Sequence, residues 1–376
     1  MILSRRILIT CTDSMMKQFL EPYVFHLVEN GCSVDVACSE VLDRFSEVSE
    51  DLKGYAKLYK LSMQRSPFDR SNLKGYKEVK EIIEQGNYDL IWTNEPVMGM
   101  LTRLAARKAR KRGTKVIYMA HGFHFYQGAP KKSWMIYYPI EKWMARYTDK
   151  LITINREDDQ FARKHFPCPV FHIHGIGANT KKFHPIRPEE QRLRRKELGL
   201  DGPVMMNVGE LNPNKNQKTA ILAFKEVVKQ YPDAKLLIAG KGEEREALEQ
   251  LADAEGLKGK VVFLGYTLEL EKYMQVCDVE ITCSYREGMP LNVIEAMLCG
   301  KPVVASHNRG HDELIRNGEN GYLVDVDNAG SYADKICEIL AAERDFTEAA
   351  LRCAEPYTDI RVRKELTTIL FEREAE

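Results

Sequence analysis

The stretch Glu287-Gly288-Met289-Pro290-Leu291-Asn292-Val293-Ile294-Glu295-Ala296-Met297 decides how the rest of the chain is read. A β-branched run, Val279–Thr282, ends just before it. Pro290 suits the first turn of a helix, where its missing N–H costs nothing. Gly288 lets the backbone approach a ligand closely. The free N–H groups of that helix start, together with the helix dipole, make an anion site that fits a diphosphate. Glu287 precedes the helix and Glu295 lies about five residues into it, roughly 7–8 Å along the axis at ~1.5 Å per residue. The two carboxylates can therefore accept hydrogen bonds from hydroxyl groups on opposite sides of the anion site, each charged bond contributing on the order of 1.5–3 kcal/mol. Solvated acids on a capped helix would show the same spacing. The complete string, with Gly300-Lys301-Pro302-Val303-Val304 after it, separates the two readings.

Working outward, short β-branched runs alternate with helical patterns along all 376 residues. The first half offers strands at Arg6–Thr10, Ser33–Cys38, Ala56–Leu61, Leu90–Asn94, Lys115–Ala120, Leu151–Ile154 and Val170–His174. The second offers Val204–Val208, Lys235–Ala239, Val261–Leu264, Val279–Thr282, Pro302–Ser306 and Tyr322–Val324. Such alternation predicts parallel sheets covered on both faces, and two sets predict two doubly wound α/β domains. The first strand leads into a helical run from Met16 to Asn30. The boundary is expected near 184, where Pro185 and Pro188 precede a charged helix, Glu189–Leu198. Ligands of such sheets bind beyond the carboxyl ends of the strands. Two domains facing each other would form one cleft lined by those tips.

Composition narrows the class. The chain is 44% hydrophobic and 29% charged, enough for two cores. Lys plus Arg and Asp plus Glu are both 55, so global charge names no partner. Nine cysteines without a C-x-x-C pair suit small buried hydrophobes in a reducing compartment, and no metal cluster is visible. The apolar run after Arg5-Arg6 is too short for a signal peptide or span. The expected location is cytoplasmic, with room for a peripheral place at the inner face of the cell membrane.

With these residues quoted, the chain resembles the large retaining glycosyltransferase family 4 of the GT-B fold. The family's E-x7-E motif is matched by Glu287 and Glu295, and the likeness is densest over 204–325. It looks most like the bacterial capsule and exopolysaccharide enzymes, through the G-E-L-x-x-N-K-N string at Gly209–Asn216. The resemblance implies an acceptor-side Rossmann-like domain over 1–184 and a nucleotide-sugar domain over 185–359. It also implies a C-terminal helix, 360–376, that packs back on the first domain, and no metal. On the matching positions it implies that Glu287 positions the donor sugar and Glu295 the ribose. Gly288, Met289, Leu291 and Asn292 would border the donor, and Lys215 would meet the diphosphate. Gly209 and Gly240 match glycine turns beside the nucleotide, and Tyr266 the position next to the base. Where the family usually carries an arginine, this chain has Glu210, which leaves more of the diphosphate to Lys215 and the helix start.

In the N-terminal half, His121 follows the strand Lys115–Ala120, where the family places a histidine near the reacting centre; His124 is the alternative. Thr12 and Asp13 stand at the first strand tip, in place of the family's glycine pair, as candidate acceptor contacts. From Pro96 through Ile140 there is no Asp or Glu, but the segment holds Arg103, Arg107, Lys108, Arg110, Lys111, Arg112, Lys115, Lys131 and Lys132. Trp134, Ile136, Tyr137, Tyr138 and Trp143 follow closely. Basic residues with interfacial aromatics suit an anionic membrane surface and a polyprenyl diphosphate-linked saccharide acceptor. A solvated helix face over core aromatics is the plainer reading. Nucleic acid fits poorly, for no recognition motif accompanies the run.

The expectation is a transferase using a UDP-sugar, with a GDP donor left open by the residues. Two alternatives remain: a GT-B sugar-nucleotide epimerase or hydrolase, and a non-catalytic nucleotide-sugar-binding subunit.

Overall fold

The computed structural model describes residues 5–41 and 43–371; positions 372–376 of the expected C-terminal helix lie outside them. Seven strands, β1 (Arg6–Thr12), β2 (Ser33–Ser39), β3 (Ala56–Leu61), β4 (Leu90–Asn94), β5 (Lys115–Ala120), β6 (Lys150–Thr153) and β7 (Val170–His172), form one sheet in the order β3-β2-β1-β4-β5-β6-β7. Six more, β8 (Val204–Val208), β9 (Lys235–Ala239), β10 (Val261–Gly265), β11 (Val279–Thr282), β12 (Val303–Ser306) and β13 (Gly321–Val324), form a second in the order β10-β9-β8-β11-β12-β13. All pairings are parallel. The strands expected from the sequence are present, with ends that move by a residue or two.

Period-two alternation explains how each strand serves two cores. In β8, Met205 joins one apolar cluster while Val204 and Met206 join another. In β9, Leu236 and Ile238 face the first, Leu237 and Ala239 the second. The first sheet buries Ile7, Leu8 and Ile9 completely. Strand order reverses between β1 and β4, and again between β8 and β11, which makes those strand tips the natural ligand positions.

The chain divides into one unit of Met1–Ile176 with Arg363–Glu376, and another of Gly177–Val362. The division falls ahead of the expected 184 because Ala178 and Phe183 are buried in the second unit's core. Ala178 also pairs with Thr358 there. The helix Asp359–Phe371 joins the first unit from Arg363 onward. Lys150 Nζ donates to the Ile369 carbonyl at 2.6 Å, and His174 Nδ1 lies 3.0 Å from Glu365 Oε1.

The continuous helix expected over Met16–Asn30 is interrupted. Pro22 has no N–H to continue an α ladder. The chain passes through a wider turn over Met16–Leu20, closed by Glu21 N–H on the Met16 carbonyl, and then into the helix Glu21–Glu29. Among the described residues, no helix is long and apolar enough to cross a membrane.

Candidate active site

In the second unit, the loop after β8 and the loop after β11 are tied together. The Tyr285 N–H donates to the Asn214 carbonyl at 2.8 Å, and the Asn214 amide donates to the Arg286 carbonyl at 3.1 Å. Lys215 is fixed within its loop by its own N–H on the carbonyl and side-chain oxygens of Asn212. Asn216 accepts a φ of 51° to turn the chain into the next helix. This arrangement brings Lys215 Nζ to 2.6 Å from Glu287 Oε1. Burial pushes the Glu287 carboxyl up, but the charge and hydrogen bond of Lys215 outweigh it and hold it below the usual carboxylate range. Glu287 is thus ionised at neutral pH.

The pair stands just before the helix Leu291–Leu298, whose start no side chain caps. The Glu287 loop is backed by the short helix Arg309–Leu314. Asn308 caps that helix through the N–H groups of Gly310 and His311, and its amide donates to the Ser284 carbonyl at 3.0 Å. A Cβ on Gly310 would stand 2.9 Å from Pro290 and 3.0 Å from Glu287, so glycine permits this packing. His311 is completely buried, and burial pushes it down to about 4.

Gly288, Met289 and Leu291 are half-buried at the helix start. The Asn292 amide is turned into the sheet, donating to Glu280 Oε1 at 3.1 Å. Burial raises the Glu280 carboxyl well above its usual range. Glu295 is half-buried, and burial pushes its carboxyl to about 8 despite Lys182. Its neutral form therefore predominates at pH 7. The turns after β8 and β9 touch backbone to backbone: a Cβ on Gly240 (φ 150°) would sit 1.8 Å from the Gly209 carbonyl oxygen. One on Gly242 would sit 2.1 Å from the Leu211 carbonyl oxygen. Tyr266 is half-exposed, its ring 5.9 Å from the Lys241 ammonium.

In the first unit, His121 Nε2 lies 3.0 Å from Oδ1 of the buried Asn94. Burial pushes the imidazole down to about 4, so it is neutral. His124 is exposed, and its ring stacks on Tyr137 at 4.4 Å. Glu95, directly after β4, accepts from the Thr12 N–H at 2.7 Å and the Thr12 hydroxyl at 3.0 Å. It does so with φ at 65°, a strained conformation for a residue with a Cβ. Asp13 corrects an expectation. Its carboxylate is fully buried and takes the N–H groups of Ser14, Val41 and Arg44, so it holds a loop rather than facing an acceptor.

The basic run is also less uniform than it reads. Arg103 is a core residue, 2.7 Å from Glu141 and stacked on Tyr118. Arg110 forms a two-pronged pair with Asp149 at 2.9 and 3.0 Å, which removes it from the candidate membrane patch. Trp134 packs among Phe125, Tyr138 and Phe161, and its indole N–H donates to the Tyr126 carbonyl, so it is a structural aromatic. Arg107, Lys108, Lys111 and Arg112 remain exposed, as do Lys131 and Lys132. Among the described residues, no group of three or more His, Cys, Asp or Glu side chains is placed to hold a metal ion.

Residues 189–355 match the family described as glycosyl transferases group 1, and residues 23–178 match glycosyltransferase family 4. EpsD of Bacillus subtilis (strain 168), named as a glycosyltransferase, is 40% identical over 340 residues, covering 89% of this chain and 87% of EpsD. The chain is a family 4 glycosyltransferase. This glycosyltransferase is also 28% identical, over 71% of its length and 70% of the relative, to the UDP-Gal:alpha-D-GlcNAc-diphosphoundecaprenol alpha-1,3-galactosyltransferase of Escherichia coli. Its fold is that of HepE from Anabaena, solved with UDP and glucose, at a TM-score of 0.78 and 20% identity over 97% of this chain and 99% of HepE. A sucrose-phosphate synthase from Thermosynechococcus elongatus matches at 0.76 and 20% identity, over 97% and 98% of the two chains. The glycosyltransferase therefore has the GT-B architecture.

Proposed function

We propose that this glycosyltransferase moves a hexose or N-acetylhexosamine from a UDP-sugar, with retention, to a polyprenyl diphosphate-linked saccharide in surface polysaccharide synthesis. The observation that carries the reading is the Lys215–Glu287 pair beside an uncapped helix start. A diphosphate arriving there meets an ammonium and free N–H groups, which stabilise the leaving group as it gains charge. Glu287, released from Lys215, is then free to accept hydroxyls of the donor sugar. Glu295 accepts the ribose hydroxyls, whose bonds draw its raised carboxyl back toward the ionised form. Neutral His121 contributes a hydrogen bond near the reacting centre. The acceptor hydroxyl attacks the anomeric carbon on the face from which UDP departs, and a β-phosphate oxygen takes its proton. No carboxylate acts as nucleophile, and positive charge comes from the chain without a metal. The galactosyltransferase relative named above, with its UDP-sugar donor and diphosphoundecaprenol acceptor, supports the substrate classes. The exposed cations Arg107, Lys111 and Arg112 support a peripheral place on an anionic membrane, at its cytoplasmic face.

The test is a screen of UDP- and GDP-sugars against bacterial lipid-extract acceptors, read by mass spectrometry, with anomeric configuration assigned by NMR. A product of inverted configuration overturns retention. Conversion of donor without acceptor would favour the epimerase or hydrolase reading. Nucleotide binding without any turnover would favour a non-catalytic subunit.

A further inference from the structure

The segment from β3 to the helix Ser71–Gly86 is held firmly. Glu78 accepts from the N–H and hydroxyl of Ser62 at 2.7 and 3.0 Å. Buried Asn72 accepts from the Gln64 N–H and donates to the Ser66 carbonyl, both at 2.8 Å. Asp69 accepts from the N–H and hydroxyl of Ser71. A backbone fixed this well nevertheless keeps Phe68 80% exposed, and Leu73, on the helix it enters, 72% exposed. Large apolar side chains held out together by fixed backbone mark a surface that something covers. They border an open groove of about 450 Å³ whose walls include Tyr76, Leu101 and Leu104.

On the other flank of the same loop lies a cavity of about 220 Å³, bordered by Thr12, Gln64, Arg65, Glu95, Met98 and Tyr137. It is smaller than the ~300–1,000 Å³ of sites for drug-sized ligands, and suits a single sugar ring. Its chemistry is that of saccharide recognition. The Glu95 carboxylate keeps acceptor capacity beyond its two Thr12 bonds. Arg65 Nε stands 3.8 Å from it. The aromatic rings of Tyr137 and His124, stacked at 4.4 Å, both border it and supply apolar surface for ring C–H groups. The helix Pro96–Ala105 serves both hollows, its first turn at the cavity and its later turns at the groove. Between them the loop carries two exposed cations, Arg65 and Arg70.

A one-ring polar cavity, a cationic loop and an apolar groove in succession fit one ligand class, a saccharide joined through a diphosphate to an isoprenoid chain. We propose that this strip of the first unit binds the acceptor. The isoprenoid chain lies on Phe68 and Leu73, its diphosphate on Arg65 and Arg70, and its sugar in the cavity beside Glu95 and Tyr137. The proposal rests on the acceptor class given above and assigns that acceptor to residues outside the donor site.

The test uses the full chain with dansyl-labelled farnesyl diphosphate, read by fluorescence anisotropy, and UDP binding measured calorimetrically on the same samples. The intact protein binds the probe. Phe68→Ser with Leu73→Ser weakens it by about tenfold or more, Arg65→Ala with Arg70→Ala by a similar factor, and UDP affinity stays unchanged in both. An intact protein that ignores the probe, or a probe affinity that survives the Phe68 and Leu73 changes, overturns the groove assignment. Unlabelled farnesol competing as well as unlabelled farnesyl diphosphate overturns the role of the arginines. Saturation-transfer NMR with methyl glycosides reports on the cavity: a signal lost in Tyr137→Ala supports it, and no signal from the intact protein overturns it. Failure of the functional reading looks different, as a protein that binds the probe normally but neither binds UDP nor transfers sugar.

Discussion

In the second unit a glutamate beyond β11 reaches the loop that follows β8; in the first unit a glutamate just beyond β4 reaches the end of β1. The two strand pairs hold the same place in their sheets, and each glutamate precedes a proline at a helix start, Pro290 or Pro96. The partners differ. Glu287 meets an ammonium at 2.6 Å; Glu95 is bonded to an N–H and a hydroxyl, straining its own backbone to do so, and its cation, the exposed Arg65, stands off at 3.8 Å. A phosphate can replace a carboxylate beside a lysine, because both are anions seeking the same cation. Thr12 presents no charge to hand over. On the proposed function, the same reach across a sheet's switch point makes an exchangeable anion site in one unit and a brace in the other.

The strongest way to break this comparison is to remove the cation. Lys215→Ala should lower kcat on the order of 10²–10³-fold, in line with loss of one preorganised group at a leaving anion. Glu287→Ala should fall comparably. Each single change leaves a part-buried charge unpaired, so the double variant should be less destabilised than the sum of the two, by melting temperature, and its rate loss less than multiplicative. Fully additive losses would mean that the pair does not act as a unit.

Glu295 supplies a pH signature. Its carboxyl is held near 8 in the folded chain against 4.5 as the reference. The folded state keeps a proton that the unfolded state releases, so this group's contribution is undiminished below about pH 4.5 and lost as pH rises toward about 8. Glu295→Gln should therefore gain stability over the wild type by roughly 2–4 kcal/mol near pH 7 and by almost nothing near pH 4. A stability difference independent of pH would sink the argument. Glu295→Ala should also weaken UDP binding; unchanged affinity would remove its ribose role.

Glu95→Ala should cost about 1–3 kcal/mol from the lost Thr12 bonds, with UDP affinity untouched. Glu95→Gly should fare better than alanine by about 1 kcal/mol, since glycine tolerates the positive φ. A fall in UDP affinity would erase the distinction between brace and anion site. The smallest effect on folding stability is expected from charge reversal at the exposed Arg107, Lys111 and Arg112, whose contribution of about 1 kcal/mol each arises only at an anionic surface. Vesicle co-sedimentation should drop while UDP affinity holds; unchanged sedimentation would remove the membrane role.

The strands were legible because buried parallel strands need apolar, β-branched runs, and several of those runs end at Gly or Ser, as at Ser62, Gly209 and Gly240. The Glu287–Glu295 stretch was legible because glycine, proline and acid each answer a separate physical need. Side-chain partnerships were not. Nothing beside Asp13 announces that it ties down Val41 and Arg44, since those bonds go to backbone N–H groups. The acid-free run from 96 to 140 hid its answer one residue further on, at Glu141, the partner that draws Arg103 into the core. Asn308, directly before the helix Arg309–Leu314, is by contrast a helix-cap signal of a residue type readable in the sequence. Glu95 gave no sign of its φ, because only the tertiary reach to Thr12 imposes it.

The touching turns at Gly209, Gly240 and Gly242 carry a consequence for anyone redirecting this enzyme to a new donor. Where backbone rests on backbone there is no room for chemical diversity, so saturation libraries at Gly240 and Gly242 should return almost nothing but wild type. Variation has to enter at side chains, such as Lys241 in the turn after β9 and Tyr266 just beyond β10, which can change without moving that backbone.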